Sequence, residues 1–157
     1  VSPSIERVEA PTDEIRMLIG ELDAELSGPY AADQRHGLSM ARLFQPDIAF
    51  FIARLDGAAV GCGGIAIGAD FAEVKRMYVR PPARGRGVAQ AILARLEEEG
   101  RFRGVTRLAL ETGDAQAAAM RFYERCGFSR CGAFGAYATM SPRQIERSVF
   151  FGKRILG

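Results

Sequence analysis

Apolar residues recur at helical spacing at Ile15, Leu18, Ile19, Leu22 and Leu26, which predicts a helix from about Asp13 to Leu26 with one core-facing side. Pro11-Thr12-Asp13 supplies capping residues at its start, and Ser27-Gly28-Pro29 stops it. Ser4 to Val8 reads as a short strand before it. Further on the pattern changes. Ile48 to Leu55 and Ala58 to Ile67 are strand-like runs joined by Asp56-Gly57, a two-residue hairpin signal that pairs them antiparallel. Ala66-Ile67-Gly68-Ala69-Asp70 turns the chain into a strand from Phe71 to Val79, which Pro81-Pro82 ends. Helical spacing returns at Val88, Ala89, Ile92, Leu93 and Leu96, with Gly100 as the expected stop. Arg107 to Glu111 reads as another strand. Asp114 is the expected N-cap of a helix through Cys126, Gly127 its left-handed terminator, and Phe128 the start of a strand. Gly132, Gly135 and Pro142 break the next segment into loop or bulged strand, and Ser148 to Ile155 is the closing strand. A weaker pattern from Asp33 to Leu43 predicts one more helix.

No repeat, low-complexity segment or composition shift marks a linker, so the 157 residues read as a single domain, 1–157. The balance of 48% apolar and 25% charged residues is that of a soluble globular protein. No apolar stretch approaches the roughly 20 residues of a spanning helix, and Val1-Ser2-Pro3-Ser4 has no signal-peptide character. A cytoplasmic protein without membrane partners is the expectation. Cys62, Cys126 and Cys131 cannot all pair and show no CxxC spacing, which argues against a disulfide framework or zinc ribbon and for reduced, buried thiols. The single histidine, His36, makes a metal site or a Ser-His-Asp arrangement hard to build, and a partly exposed helix or loop is its expected position. A net charge of +2 is too small to argue for a nucleic-acid partner, although Arg80, Arg84, Arg86, Arg101 and Arg103 can form a local basic patch.

Arg84-Gly85-Arg86-Gly87-Val88-Ala89 lies between a predicted strand and a predicted helix. A glycine-rich turn opening a helix presents free backbone N–H groups and the positive end of the helix dipole, which favours a phosphate. No Gly-Lys-Ser/Thr follows, so it is not a Walker loop, and it lacks the full GxGxxG pattern. Alone, the turn is equally compatible with a basic loop that packs a helix or touches RNA.

Its surroundings change this. Met77-Tyr78-Val79 followed by the arginine turn, Leu108-Ala109-Leu110-Glu111-Thr112, and Ala119-Met120-Arg121-Phe122-Tyr123-Glu124-Arg125-Cys126-Gly127-Phe128 together resemble the GNAT family of acyl-CoA N-acyltransferases. The first matches the family signature Gln/Arg-x-x-Gly-x-Gly/Ala, the second its fifth strand, and the third its Tyr-Glu-x-x-Gly-Phe ending. The resemblance is strongest from Ile48 to Phe128. It implies an α/β fold with a central mixed, mostly antiparallel sheet, splayed between the fourth and fifth strands and covered by helices on both faces. It also implies acetyl-CoA as donor, a small-molecule or peptide amine as acceptor, and the homodimers common in such families.

On that resemblance, N–H groups from Gly85 to Ala89 hold the pyrophosphate, with Arg84, Arg86 and Val88 in the same turn. Met77, Tyr78 and Val79 flank the pantetheine arm, and Thr112 and Gln116 contact the cofactor from the opposite strand and helix. The Met77 N–H polarises the thioester carbonyl. Tyr123, a phenol with a reference pKa of about 10, protonates the leaving thiolate, against the alternative that it only packs in the core. Glu73 is the first choice for the base that takes the amine proton and Glu111 the second. A salt bridge to Lys75, Arg76 or Arg107 competes for either carboxylate, and water is a third possible base. Tyr30, Phe134 and Tyr137, with Glu111, are candidates for the acceptor side. A cysteine nucleophile has no neighbouring histidine to activate it, so direct transfer in a ternary complex is preferred to an acyl-enzyme. A non-catalytic acyl-CoA sensor is the competing reading. The sequence does not identify the acceptor.

Overall fold

A computed structural model describes residues 2–156. Its seven strands are β1 (Ser4–Val8), β2 (Ile48–Leu55), β3 (Ala58–Ile67), β4 (Phe71–Val79), β5 (Arg107–Gly113), β6 (Ser129–Cys131) and β7 (Ser148–Arg154), with helices α1 (Asp13–Ser27), α2 (Val88–Phe102), α3 (Ala117–Arg125) and the single turn α4 (Pro142–Ile145). They form one sheet in the order β1-β2-β3-β4-β5-β7-β6. Every pairing is antiparallel except β4 with β5.

β2 is apolar almost throughout because both of its faces are covered. Ala49, Phe51, Ala53 and Leu55 meet α2 residues Val88, Ile92, Leu93 and Leu96 in one cluster. Ile48, Phe50 and Ile52 meet α1 residues Ile15, Leu18, Ile19 and Leu22 in a second. The Asp56-Gly57 turn has φ of 51° and 82°, the left-handed pair that a tight two-residue hairpin needs.

The sheet opens at its only parallel pairing. β4 and β5 are matched at Phe71/Arg107, Ala72/Leu108 and Glu73/Ala109 and then diverge, while β5 stays paired to β7 along its whole length. A second irregularity lies just above the split. Cys62 opposes Tyr78 and Gly64 opposes Lys75, so Gly63 alone faces both Arg76 and Met77. This is a bulge, and Arg76 takes its left-handed position at φ 57°. Only glycine fits opposite it, since a Cβ at position 63 would stand 2.6 Å from Met77 Sδ and 2.9 Å from Ile92 Cγ2.

Four expectations are corrected. Asp33 to Leu43 is not a helix but two short 3-10 turns, Ala32–Gln34 and Arg42–Phe44, around an extended stretch. Its polar groups bond elsewhere: Gln34 Nε2 donates to Glu146 Oε1 (2.9 Å), His36 Nε2 lies 2.8 Å from the Gln144 carbonyl, and the His36 carbonyl accepts from Lys75 Nζ (2.7 Å). Gly100 does not stop α2. It is buried within the helix, where a Cβ would come within 2.8 Å of Ile155 Cδ1, and the left-handed residue past the helix end is Gly104 (φ 77°). Asp114 does not cap α3, because its carboxylate takes Arg147 Nε at 2.7 Å; α3 starts after Gln116. Of the three thiols only Cys62 is buried, Cys126 being half-buried and Cys131 exposed. No described helix is long and apolar enough to cross a membrane.

Candidate active site

The split between β4 and β5 creates a groove of about 680 Å³ lined by Met77, Tyr78 and Val79 on one side and by α3 residues Ala119, Phe122 and Tyr123 on the other. Its far end is the turn into α2. Gly85 (φ 79°) and Gly87 (φ 81°) are both left-handed there, and no atom lies within 4 Å of where a Cβ would project from either. The turn therefore leaves its backbone open to an incoming group, at the N-terminus of a 15-residue helix. Arg84, Val88, Ala89 and Gln116 also line the groove. Arg84 holds the turn in place, its Nε donating to the Val79 carbonyl (2.8 Å) and its Nη2 reaching Glu25 (3.2 Å). Arg86 is exposed and is not one of the residues that line the groove. Open backbone at a helix start, followed by an apolar channel along a strand edge, fits a phosphate-bearing group with a long pantetheine-like arm.

Below the groove, a second cavity of about 150 Å³ reaches into the split. Met77, Gln116 and Tyr123 line both spaces and mark where they meet. Tyr123 is 7% exposed, with its ring packed against Phe122, Phe128 and Phe151 at centroid distances of 5.4, 5.7 and 6.4 Å. No side-chain hydrogen bond to its hydroxyl is formed among the described residues, and the oxygen is not one of the fully buried unpartnered atoms, so it opens onto the groove and cavity that Tyr123 lines. Burial pushes its ionisation well above that of an ordinary phenol, so it is a proton donor at neutral pH.

The two acidic candidates face this cavity in different states. Glu73 Oε2 accepts from the Tyr137 hydroxyl (2.5 Å) and from Lys75 Nζ (3.1 Å). Lys75 is itself buried, its remaining bonds going to the His36 carbonyl (2.7 Å) and to Tyr137 (3.1 Å). Glu111 has a single hydrogen bond, from Ser148 Oγ (2.6 Å). Burial raises its carboxyl above the usual carboxylate range, and the Ser148 bond and the charges of His36 and Lys75 only partly oppose this. Burial likewise pushes the Cys62 thiol up to about 12, and Cys126, at the groove wall, is also raised by burial. Neither thiol has an activating partner.

Thr112 lines the inner cavity rather than the groove. Tyr30, Phe134 and Tyr137 line neither space. Tyr30 is buried against Gly113, its hydroxyl accepting from the Ala115 N–H at 2.9 Å. Phe134 stacks edge-on with Phe71, Tyr137 and Phe150. Tyr137 sits behind Glu73 and Lys75 and supports them. Sequence reasoning missed His36, Ser148 and the turned backbone of Arg76. Only the last left a signal, in the Gly61-x-Gly63-Gly64 run, since glycines inside a strand mark a bulge or a close backbone approach.

Among the described residues no group of three His, Cys, Asp or Glu side chains is placed to hold a metal. The sequence pattern of the Acetyltransferase (GNAT) family matches residues 16–128. An IAA acetyltransferase of Azospirillum brasilense is 43% identical over 136 residues, covering 85% of this chain and 89% of that one. The crystal structure of a Klebsiella pneumoniae protein provisionally named an acyl-CoA N-acyltransferase superposes with a TM-score of 0.78, at 31% identity over 98% of both chains. The PaiA N-acetyltransferase of Thermoplasma acidophilum, solved with coenzyme A, shares the fold at a TM-score of 0.71 and 20% identity, over 96% of this chain and 99% of that one. With its split sheet, its open glycine turn and these relatives, the chain belongs to the GNAT family and is an N-acetyltransferase that uses acetyl-CoA.

Proposed function

We propose that the protein acetylates a small primary amine by direct attack in a ternary complex, with Glu111 taking the amine proton and Tyr123 protonating the departing thiolate. Acetyl-CoA supplies the activated acetyl thioester. The turn from Arg84 to Ala89 receives its phosphates through backbone N–H groups, and the edge of β4 from Met77 to Val79 takes the pantetheine arm. The bulge at Arg76 breaks the regular pairing of β3 with β4 at Met77, which leaves the Met77 N–H to donate to the thioester carbonyl.

The observation that carries this reading is the pairing of a half-buried acid and a buried phenol ring around one cavity. Tyr123 Oη is unpartnered where groove and cavity meet, and Glu111 lies in the inner cavity with one oxygen uncommitted. Sequence reasoning put Glu73 first as base. Glu73 is engaged by two donors, Tyr137 and the buried cation Lys75, against the single serine on Glu111, which favours Glu111 instead. A carboxylate whose proton affinity is raised by burial is better matched to a proton acceptor working near neutral pH.

The test is thiol release from acetyl-CoA across a panel of primary amines, using the wild type, Glu111→Gln, Glu73→Gln and Tyr123→Phe. Glu111→Gln is expected to remove the acid limb of the pH profile and to cost more than Glu73→Gln. Equal activity in Glu111→Gln and the wild type would overturn the assignment of the base.

A further inference from the structure

One buried cation at the inner cavity is not explained by donor binding or by proton transfer. Arg76 is 6% exposed at its side chain and lines the cavity, where its guanidinium lies over Gly37. Its Nη2 donates to Asp23 Oδ1 (2.6 Å), but its Nε is buried and has no partner. A buried guanidinium N–H left without an acceptor is an unusual feature in a folded chain and asks for one. Lys75, the other cation in the cavity, cannot serve the same purpose, because its three bonds to the His36 carbonyl, Glu73 and Tyr137 already satisfy its three protons. Arg76 is also fixed in place, by the left-handed backbone of the bulge and by glycine at position 37, where a Cβ would collide with the guanidinium.

The cavity therefore carries both signs of charge: Glu111 and Glu73, and with them Lys75 and the incompletely bonded Arg76, with His36 also in the lining. An all-acidic cavity would suit a simple amine or a polyamine. This one does not. We propose that the acceptor is a small amine that also bears an acid group, a carboxylate or a phosphonate, with its acid met by Arg76 and its amine held at Glu111. A volume of about 150 Å³ limits such an acceptor to a few bonds between the two groups. The inference rests on the reading of the protein as an amine acetyltransferase and narrows its substrate class.

The test compares ethylamine with β-alanine and 2-aminoethylphosphonate, which are ethylamine carrying a carboxylate or a phosphonate, in the same thiol-release assay. Rates are expressed per free amine, so that the lower amine pKa of the acid-bearing compounds does not create a false preference. The expected result is a kcat/KM at least 100-fold higher for one or both acid-bearing amines, with propionate or ethylphosphonate inhibiting competitively against the amine. In Arg76→Asn, whose side chain tolerates the left-handed backbone, the ratio of acid-bearing to plain amine is expected to collapse to within about threefold, while Arg76→Lys keeps part of it. Acetyl-CoA binding reports whether each variant is folded. A wild-type ratio within threefold, or an undiminished ratio in folded Arg76→Asn, would overturn the acid-group inference and leave amine acetylation standing. Binding of acetyl-CoA without thiol release for any amine would overturn both.

Discussion

Tyr123→Phe separates chemistry from packing more cleanly than any other substitution in this protein. The ring keeps its contacts with Phe122, Phe128 and Phe151 in the variant, and the oxygen that is removed has no hydrogen bond to lose. Removing a hydroxyl that has no protein partner is neutral or stabilising, within about 1 kcal/mol. For a domain of this size that is a Tm unchanged or raised by about 2–4 °C. A general acid contributes about 100-fold or more to the rate, and a 100-fold loss in kcat corresponds to about 2.7 kcal/mol of transition-state stabilisation. The variant is therefore expected to be as stable as the wild type and about 100-fold slower. Its KM for acetyl-CoA should hold, because the proton is transferred only as the thiolate leaves. The assays are thermal unfolding and steady-state thiol release on the same preparation. A kcat within threefold of the wild type would refute the acid role and make Tyr123 a packing residue. A Tm more than about 4 °C below the wild type would show that the hydroxyl is structurally bonded, contrary to the geometry.

Four further outcomes follow from the same structure. Burial holds a proton on Glu111 at pH values where the unfolded chain has already released it, so this residue's contribution to stability is present at low pH and is lost as pH rises through its raised value. Glu111→Gln should therefore gain in Tm relative to the wild type as pH rises above about 4, the range in which an unfolded glutamate loses its proton, while the acid limb of kcat/KM disappears; Tm curves that stay parallel as pH rises would contradict the burial argument. Gly87→Ala has open space for its methyl group but must hold φ 81°, so about 1–2 kcal/mol of stability and a rise in KM for acetyl-CoA are expected from unfolding and kinetics. Gly100→Ala should lose about 1–3 kcal/mol in denaturant titration despite the better helix propensity of alanine, because the methyl group would meet Ile155 Cδ1 at 2.8 Å. Tyr137→Phe removes a hydrogen bond to each of Glu73 and Lys75, and a cost of about 1.5–3 kcal/mol is expected in the same titration.

The parts of the fold that were legible in the sequence are those whose local signals agree with their tertiary surroundings. The hairpin at Asp56-Gly57, the apolar stripe of α1 and the left-handed stop at Gly127 (φ 93°) all stand where the pattern put them. The misses are places where a distant partner prevails over local preference. Asp114 is a good N-cap in isolation, but Arg147, 33 residues away, takes its carboxylate. Gly100 has the form of a helix stop, but the close approach of Ile155 and Val105 uses its missing side chain inside α2. Asp33 to Leu43 has enough apolar residues to suggest a helix, yet Gln34, His36 and Lys75 draw it out into an extended strap across the acceptor side.

The same distinction explains why the donor was readable and the acceptor was not. The donor groove is built mainly from residues close together in the chain: Met77 to Val79, the turn at 84–89, and Tyr123 on α3 with Gln116 at its N-cap. A short motif can carry all of that, because strand edge, turn and helix start are consecutive. The inner cavity instead brings together His36, Glu73, Arg76 and Glu111, with Tyr137 and Ser148 behind them, from five separate segments. No spacing rule links them, and their chemistry depends on which partner each one finds. Glu73 and Glu111 are equivalent letters in the sequence. Tyr137 and Lys75 engage the first from behind and leave the second with one serine, and that difference, created wholly by tertiary contacts, is what favours Glu111 over Glu73 as the proposed proton acceptor.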